Sequence, residues 1–257
     1  MSLEKLYGVH AVLAALEGQR RHICKVLLDQ QRHGPAAERI VALAGQRGIA
    51  VETVPGVQLQ RMLGHSQHQG VVALAVPLAY QTFASVLERL AAAREPQTIL
   101  LLDGVTDVGN FAALMRSAVA FGVEVIILPR HRSVTLTATA ARRSAGAVDR
   151  LSIVQVVNVV RALDELKGAG FWVYGADMRA ATPVARITWP ERLVLVLGAE
   201  GHGMRRLVRE RCDSLVCVPM RLGVDSLNVA VAGAIILAYR WEWQLRVDAP
   251  QDVVPKG

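Results

Sequence analysis

The sequence predicts an α/β protein: a parallel sheet covered by helices on both faces, preceded by a smaller α/β unit. Three observations predict it. Short apolar runs rich in Val, Ile and Leu recur along the chain, as in TILLLD (98–103), VEVIILP (123–129) and LVLVL (193–197). That is the composition of strands buried on both faces. Between the runs lie segments with apolar residues at helical spacing, the alternation that builds parallel sheets. Polar or glycine-rich loops follow several runs, most sharply GAEGHGM after LVLVL, and the crevice beyond strand ends is where open α/β sheets bind ligands.

Residues 1–76 form the smaller unit. Leu6 to Leu16 has helical spacing, Ile23 to Leu28 is strand-like, and Pro35 to Gly45 is helical again. Ile49 to Val54 reads as a strand, Val57 to Leu63 as a short helix, and Val71 to Val76 as a closing strand. A unit of this size can fold alone. Its loops carry Arg20, Arg21, Lys25, Arg32 and Arg61, with His65 and His68 in GHSQHQG. The two histidines have the spacing of half a metal site, but no cysteine or carboxylate cluster accompanies them, and no metal is expected.

Residues 77–97 read as a linker, PLAYQT, and a leading helix from Phe83 to Ala93. The larger domain spans 98–246. After the strand Thr98 to Asp103, Asp107 and Asn110 open a helix, where both residue types are good caps. Arg116 stands about 9 Å farther along that helix, in an otherwise apolar stretch that suits an anionic partner or an exposed face. Val123 to Pro129 is the next strand. Residues 130–150 then carry five arginines and one aspartate. A short helix there presents Arg142 and Arg143 on its surface, a candidate strip for phosphate contact. Ile153 to Val157 and Phe171 to Ala176 are strands flanking a helix over Val159 to Lys167. Arg205, Arg206, Arg209 and Arg211 follow the glycine cluster, and Asp213 to Met220 is the last strand. Ser226 and Asn228 open a long apolar helix, again as good caps. Residues 247–257, with Pro250 and Pro255, read as a disordered tail.

Whole-chain properties narrow the setting. No apolar run reaches the roughly 18 residues of a membrane span, and MSLEKLYGVH lacks the pattern of a secretory signal. Cys24, Cys212 and Cys217 are too few for a disulfide framework and read as ordinary thiols of a reducing cytoplasm. Net charge is +7 and the pI is near 9.8, with arginine supplying most of the excess. That balance favours a polyanionic partner, because Arg suits bidentate phosphate contact.

Three polar loops follow three buried strands: Asn110 with Arg116, Gly198 to Gly203 with Glu200, and Ser226 with Asn228. Each has a structural account as a cap or tight turn. Together, at strand ends of one sheet, they read as a binding site. No G-x-G-x-x-G follows the first strand, so a conventional dinucleotide site is not expected. No phosphate-binding lysine loop, catalytic carboxylate pair or Ser-His-Asp series is present, and these residues alone do not name the ligand.

In this order the three loops resemble the motifs of the SpoU (TrmH-like) RNA 2′-O-ribose methyltransferases, and most closely the bacterial branch that methylates a guanosine of 23S ribosomal RNA. LLDGVTD-x-x-N with RSA, LGAEGHGMRRL and SLNVAVA resemble the catalytic motifs. YGVHAV and HQGVVA resemble the small N-terminal RNA-binding domain, so the resemblance covers nearly the whole chain. It implies a knotted SPOUT-type α/β fold, in which the chain end threads a loop and forms the S-adenosylmethionine pocket. It also implies a cytoplasmic homodimer whose partner is 23S rRNA or a large-subunit precursor, with no membrane and no metal. Asn110, Arg116, Glu200, Ser226 and Asn228 fall on its catalytic or site-organising positions. Gly198, Glu200, Gly201, Val218, Pro219, Met220 and Leu227 fall on its donor pocket. Arg20, Arg21, Arg142, Arg143 and Arg205 are the basic residues placed for RNA. Val108 and Ala112 depart from the motif, which has proline and glycine there. A transfer-RNA substrate, a non-catalytic RNA-binding or ribosome-assembly role, and a small-molecule enzyme are the alternatives.

Overall fold

The computed structural model describes residues 3–18, 20–221 and 226–248. Residues 222–225, inside the stretch that the knotted reading threads, and most of the expected tail (249–257) lie outside them. The chain divides into two compact units, Met1–Ala79 with Leu136–Arg150, and Tyr80–Thr135 with Leu151–Gly257.

The first unit begins with β1 (Glu4–Tyr7), α1 (Val9–Gly18), β2 (Ile23–Asp29) and α2 (Pro35–Gln46), followed by β3 (Ala50–Val54), α3 (Gly56–Leu63) and β4 (Val71–Ala75). Its sheet runs β1-β4-β2-β3, with β4 antiparallel to β1 and β2, and β2 parallel to β3. Val12, Leu16, Val26, Ile40 and Ala73 pack between this sheet and its helices. The helical spacing over Leu6 to Leu16 takes in the last two residues of β1 together with α1. Gly8, at φ +89°, turns the chain between them, a backbone conformation that glycine takes without steric cost.

Along the rest of the chain follow α4 (Phe83–Ala92), β5 (Gln97–Asp103), α5 (Val108–Ala120), β6 (Val125–Pro129) and α6 (Ala138–Arg143). Then come β7 (Ser152–Val156), α7 (Val159–Gly168), β8 (Trp172–Ala176), β9 (Thr182–Pro183) and β10 (Arg192–Gly198). The series closes with α8 (Arg206–Arg209), β11 (Ser214–Cys217) and α9 (Val229–Asp248). The second sheet has the order β7-β6-β5-β10-β8-β11-β9, and every pair in it is parallel. Ile99, Leu101, Ile127, Val194 and Val196 face one way and pack with Val86, Leu90 and Leu163 of the helices. Alternate residues face the other way. On that side α9 comes so close that a Cβ on Gly233 would lie 2.6 Å from both Leu114 and Leu197. Two details differ from the sequence reading. The two-residue β9 was not anticipated, and the last strand stops at Cys217, so Val218–Met220 leave the sheet as a loop.

Residues 136–150 differ more. Expected inside a continuous 98–246 domain, they pack with the first unit instead. A Cβ on Gly146 would lie 2.4 Å from the Ala14 methyl of α1, and one on Gly18 would lie 2.2 Å from the Asp149 carbonyl oxygen. Arg21 donates from Nε to Asp149 Oδ1 at 2.9 Å and is also ion-paired with Glu4. This corrects the expectation that Arg21 contacts RNA: its side chain is 0% exposed. Burial raises the Asp149 carboxyl above its ordinary value, against the opposing pull of Arg21. Glu17 pairs with both Arg39 and Arg150 at 2.6 Å nearby. Among the described residues, no helix is long and apolar enough to cross a membrane.

Candidate functional site

Everything at the site follows from where β10 ends. Gly198 lies in register with Asp103 of β5, and the chain then folds back on itself. Ala199 N–H donates to Gly203 O at 3.0 Å, and Gly203 N–H to Ala199 O at 2.9 Å. Gly201 and Gly203 take φ of +80° and +68° to close this loop. Gly198 permits it, because a Cβ there would lie 2.2 Å from the Gly203 carbonyl carbon. The loop is locked from below by Asp103, a residue the sequence reading did not single out. Its carboxylate, 0% exposed, accepts from Arg205 N–H at 2.8 Å and Nε at 2.7 Å, and pairs with Nη2 at 2.6 Å. A carboxylate closing an otherwise apolar strand was the available signal. Arg205, expected to contact RNA, is thereby tied to the loop.

Glu200 projects from this loop and gathers the other two motifs. Asn110 Nδ2 donates to Glu200 Oε1 at 2.9 Å, and Asn228 Nδ2 donates to the same oxygen at 2.8 Å. Asn228 Nδ2 also reaches Asn110 Oδ1 at 2.9 Å, closing a triangle. Capping fixes both asparagines. Asp107 Oδ1 accepts from Asn110 N–H at 2.7 Å at the start of α5. Asn228 Oδ1 accepts from Ala230 N–H at 2.9 Å, which turns its amide nitrogen toward Glu200. The helix-capping role and the site role are thus two ends of one side chain. Val108 leaves the Asp107 cap intact, and Ala112 is buried on regular α5 backbone, so neither departure from the motif disturbs Asn110.

The triangle borders a cavity of about 1030 Å³ within the second unit. Leu197, Met204, Val216 and Ile236 give it apolar walls, and Asp177 and Arg209 line it too. Of the residues expected to hold a donor, Gly198, Glu200, Gly201, Val218, Met220 and Leu227 line it, with Ser226 and Asn228; Pro219 does not. Arg116 does not line it either. Helical geometry sets it about 120° around α5 from Asn110, and it is exposed, with no hydrogen bond or ion pair among the described residues. Cys212 lies behind the loop, where burial pushes its thiol up to about 12, so it is no nucleophile.

On the first unit, Arg142 and Arg143 are exposed and Arg20 is half-buried. His65 and His68 each accept a nearby backbone N–H at Nδ1, from Gln67 and Gly70. No group of three or more His, Cys, Asp or Glu that could hold a metal occurs among the described residues.

Comparison with known proteins bears on this geometry. Residues 97–238 match the SpoU rRNA methylase family, and residues 5–81 match the RNA 2′-O ribose methyltransferase substrate-binding family. The chain is similar to the 23S rRNA (guanosine-2′-O-)-methyltransferase RlmB of Nitrosomonas europaea, with 38% identity covering 97% of this chain and 98% of that one. A putative TrmH family tRNA/rRNA methyltransferase of Staphylococcus aureus is 37% identical over 90% of this chain and 93% of its own. Among solved structures, the SpoU methyltransferase AviRb from Streptomyces viridochromogenes in complex with AdoMet superposes with a TM-score of 0.75, covering 95% of this chain and 92% of that one. At 22% identity this likeness speaks for the fold alone. A putative TrmH-family RNA methyltransferase from Porphyromonas gingivalis gives 0.72 at 25% identity, covering 95% and 90%. With the methylase model matching more than half of its length, and the Asn110–Glu200–Asn228 triangle inside that match, the chain belongs to the SpoU rRNA methylase family.

Proposed function

We propose that the protein transfers the methyl group of S-adenosylmethionine to the ribose 2′-hydroxyl of a guanosine in 23S ribosomal RNA. The observation that carries this reading is Glu200, held by Asn110 and Asn228 at the edge of the 1030 Å³ cavity. The cavity suits the donor chemically, with apolar walls for a purine and a polar rim for ribose and amino-acid ends. Backbone around Gly198, Val218 and Leu227 would hold it, with Gly201, Pro219 and Met220 nearby. When bound, S-adenosylmethionine supplies an electrophilic methyl group.

The chain's own residues do the rest. Glu200 receives both amide donors on Oε1, which leaves Oε2 for a hydroxyl of the substrate. Asn110 and Asn228 are positioning residues that keep this carboxylate still, and Ser226 holds the loop before α9. A ribose hydroxyl becomes a good nucleophile as its oxygen gains negative charge. Arg116 acts by gripping the neighbouring phosphate and stabilising the developing alkoxide, while the hydroxyl proton passes to solvent. Fixed in-line placement supplies much of the rate. Arg116 stands outside its own chain's cavity, which supports a homodimer in which each site is completed by the partner subunit. The first unit captures the RNA, as rRNA or a large-subunit precursor, in the cytoplasm.

The test is incubation with radiolabelled S-adenosylmethionine and, separately, unmodified 23S rRNA and total transfer RNA. Label mapping to one ribose of 23S rRNA, and lost in Arg116→Ala, is the expected result. Label confined to transfer RNA would keep the chemistry and overturn the target. Absence of both label and donor binding would overturn the enzyme.

A further inference from the structure

Tyr7, His65 and Arg142 form a cluster on the first unit that the proposed methyl transfer does not use. The Tyr7 and His65 rings have centroids 4.6 Å apart and planes inclined at 57°, so they do not stack face to face. Arg142 Cζ lies 5.8 Å from the Tyr7 centroid, its Nη1 donates to the Tyr7 hydroxyl at 3.0 Å, and its Nη2 donates to Thr139 Oγ1 at 3.3 Å. Both rings are half-buried and the guanidinium is exposed.

What sets Arg142 apart is its partners. Several exposed arginines are neutralised by carboxylates, as Arg161 is by Glu165, Arg206 by Glu210, Arg209 by Asp177 and Arg211 by Asp164, and others, Arg116 among them, have no partner among the described residues. Arg142 is oriented by two hydroxyls and a ring, which fix its direction and leave its charge whole. Arg143 beside it is exposed and has no ion pair among the described residues. The placement is firm, because residues 136–150 are anchored through buried Asp149 on Arg21 and the close fit of Gly146 on Ala14.

We propose that this cluster is a stacking site for one unpaired nucleobase of the RNA, with Arg142 and Arg143 on the phosphate beside it. The proposal rests on the reading that the substrate is RNA. Flat, unstacked bases on aromatic or imidazole rings, with arginine at the backbone, are how single-stranded RNA is held. A duplex keeps its bases inside the stack and offers only phosphates. The RNA-contacting surface then extends beyond residues 5–81, since its cation comes from a segment counted within the methylase match.

The experiment compares wild type, Tyr7→Ala, His65→Ala and Arg142→Ala, with thermal unfolding as the check on folding. Affinity is measured for a short single-stranded RNA oligonucleotide of mixed sequence and for the same sequence as a duplex. Tyr7→Ala and Arg142→Ala are expected to weaken single-strand binding roughly tenfold, and to raise KM for 23S rRNA with kcat and donor affinity unchanged. Arg142→Ala is further expected to flatten the log–log salt dependence by about 0.7, the signature of one lost phosphate contact on a single strand. Folded variants with wild-type affinity, or tighter binding of the duplex than of the single strand, would overturn the proposal. If wild type methylates neither RNA while oligonucleotide binding still responds to these substitutions, the function proposed above falls and the stacking site stands.

Discussion

Replacing Gly198 by alanine adds one methyl group where the backbone of β10 meets its own return loop. Ordinary contact begins near 3.4 Å, and the new Cβ would sit 2.2 Å from the Gly203 carbonyl carbon, a shortfall of about 1.2 Å. The obstacle is backbone, so no side chain can rotate away. The loop must open, breaking the Ala199–Gly203 pair of hydrogen bonds and drawing Glu200 from Asn110 and Asn228, whose bonds at 2.9 and 2.8 Å would stretch beyond range. Misplacement of about 1 Å at a reacting centre costs roughly 100-fold in rate, and forced overpacking costs about 1–3 kcal/mol of stability. Gly198→Ala is therefore expected to lose about two decades of kcat/KM, to bind S-adenosylmethionine more weakly by calorimetry, and to melt several degrees lower. Gly201→Ala is the control. It has φ +80° but nothing within 4 Å of a new Cβ, so it should carry only the left-handed strain of about 1–2 kcal/mol and keep the loop closed. A folded Gly198→Ala protein with wild-type donor affinity and rate would refute the argument.

Glu200→Ala should lower kcat by roughly 100-fold or more, as loss of a charged anchor at a reacting site does. Glu200→Gln, still able to accept both amide bonds, should lose less, and equal losses in a single-turnover assay would contradict the anchoring role. Arg21→Met removes one partner of a buried ion pair and should cost about 3–5 kcal/mol in urea unfolding at pH 7. Because burial raises the folded Asp149 carboxyl above 3.8, its contribution is most favourable below that value and declines as pH rises through the folded pKa. The deficit of Arg21→Met should therefore shrink on acidification toward pH 4, and a deficit that grew instead would reverse the sign. Cys212, at about 12, has on the order of one thiolate in 10⁴ at pH 8. Peptide mass spectrometry after iodoacetamide should find it unmodified while exposed Cys24 reacts, and early labelling of Cys212 would show that the thiol is not shielded.

Sequence periodicity disclosed the elements that depend on local pattern. The runs at 98–103, 123–129 and 193–197 all became central strands, because burial on both faces leaves a continuous apolar signature. The three loops were legible only together: Glu200, Asn110 and Asn228 each have a local account as a turn or cap, but all three follow buried strands of one sheet. What escaped depends on partners distant in the chain. Arg21 looked like any loop arginine until Asp149, 128 positions later, covered it. Asp103 looked like the end of a strand until Arg205 reached it. β1 has four residues, too few for a period to emerge, and the helical spacing that starts at Leu6, its third residue, runs across the turn at Gly8 into α1.

The discontinuity of the first unit has a consequence for the nascent chain. Its main core, from Leu6 to Ala75, is complete once β4 has been made. The segment that buries Arg21 arrives only with residue 150, 71 positions after Ala79, which at ordinary elongation rates is about 4–14 s later. During that interval Arg21 keeps water where Asp149 will sit, and the face of α1 that will receive Gly146 stays open. A ribosome stalled between these points carries an N-terminal unit that is folded but unsealed, a natural foothold for a chaperone or a protease.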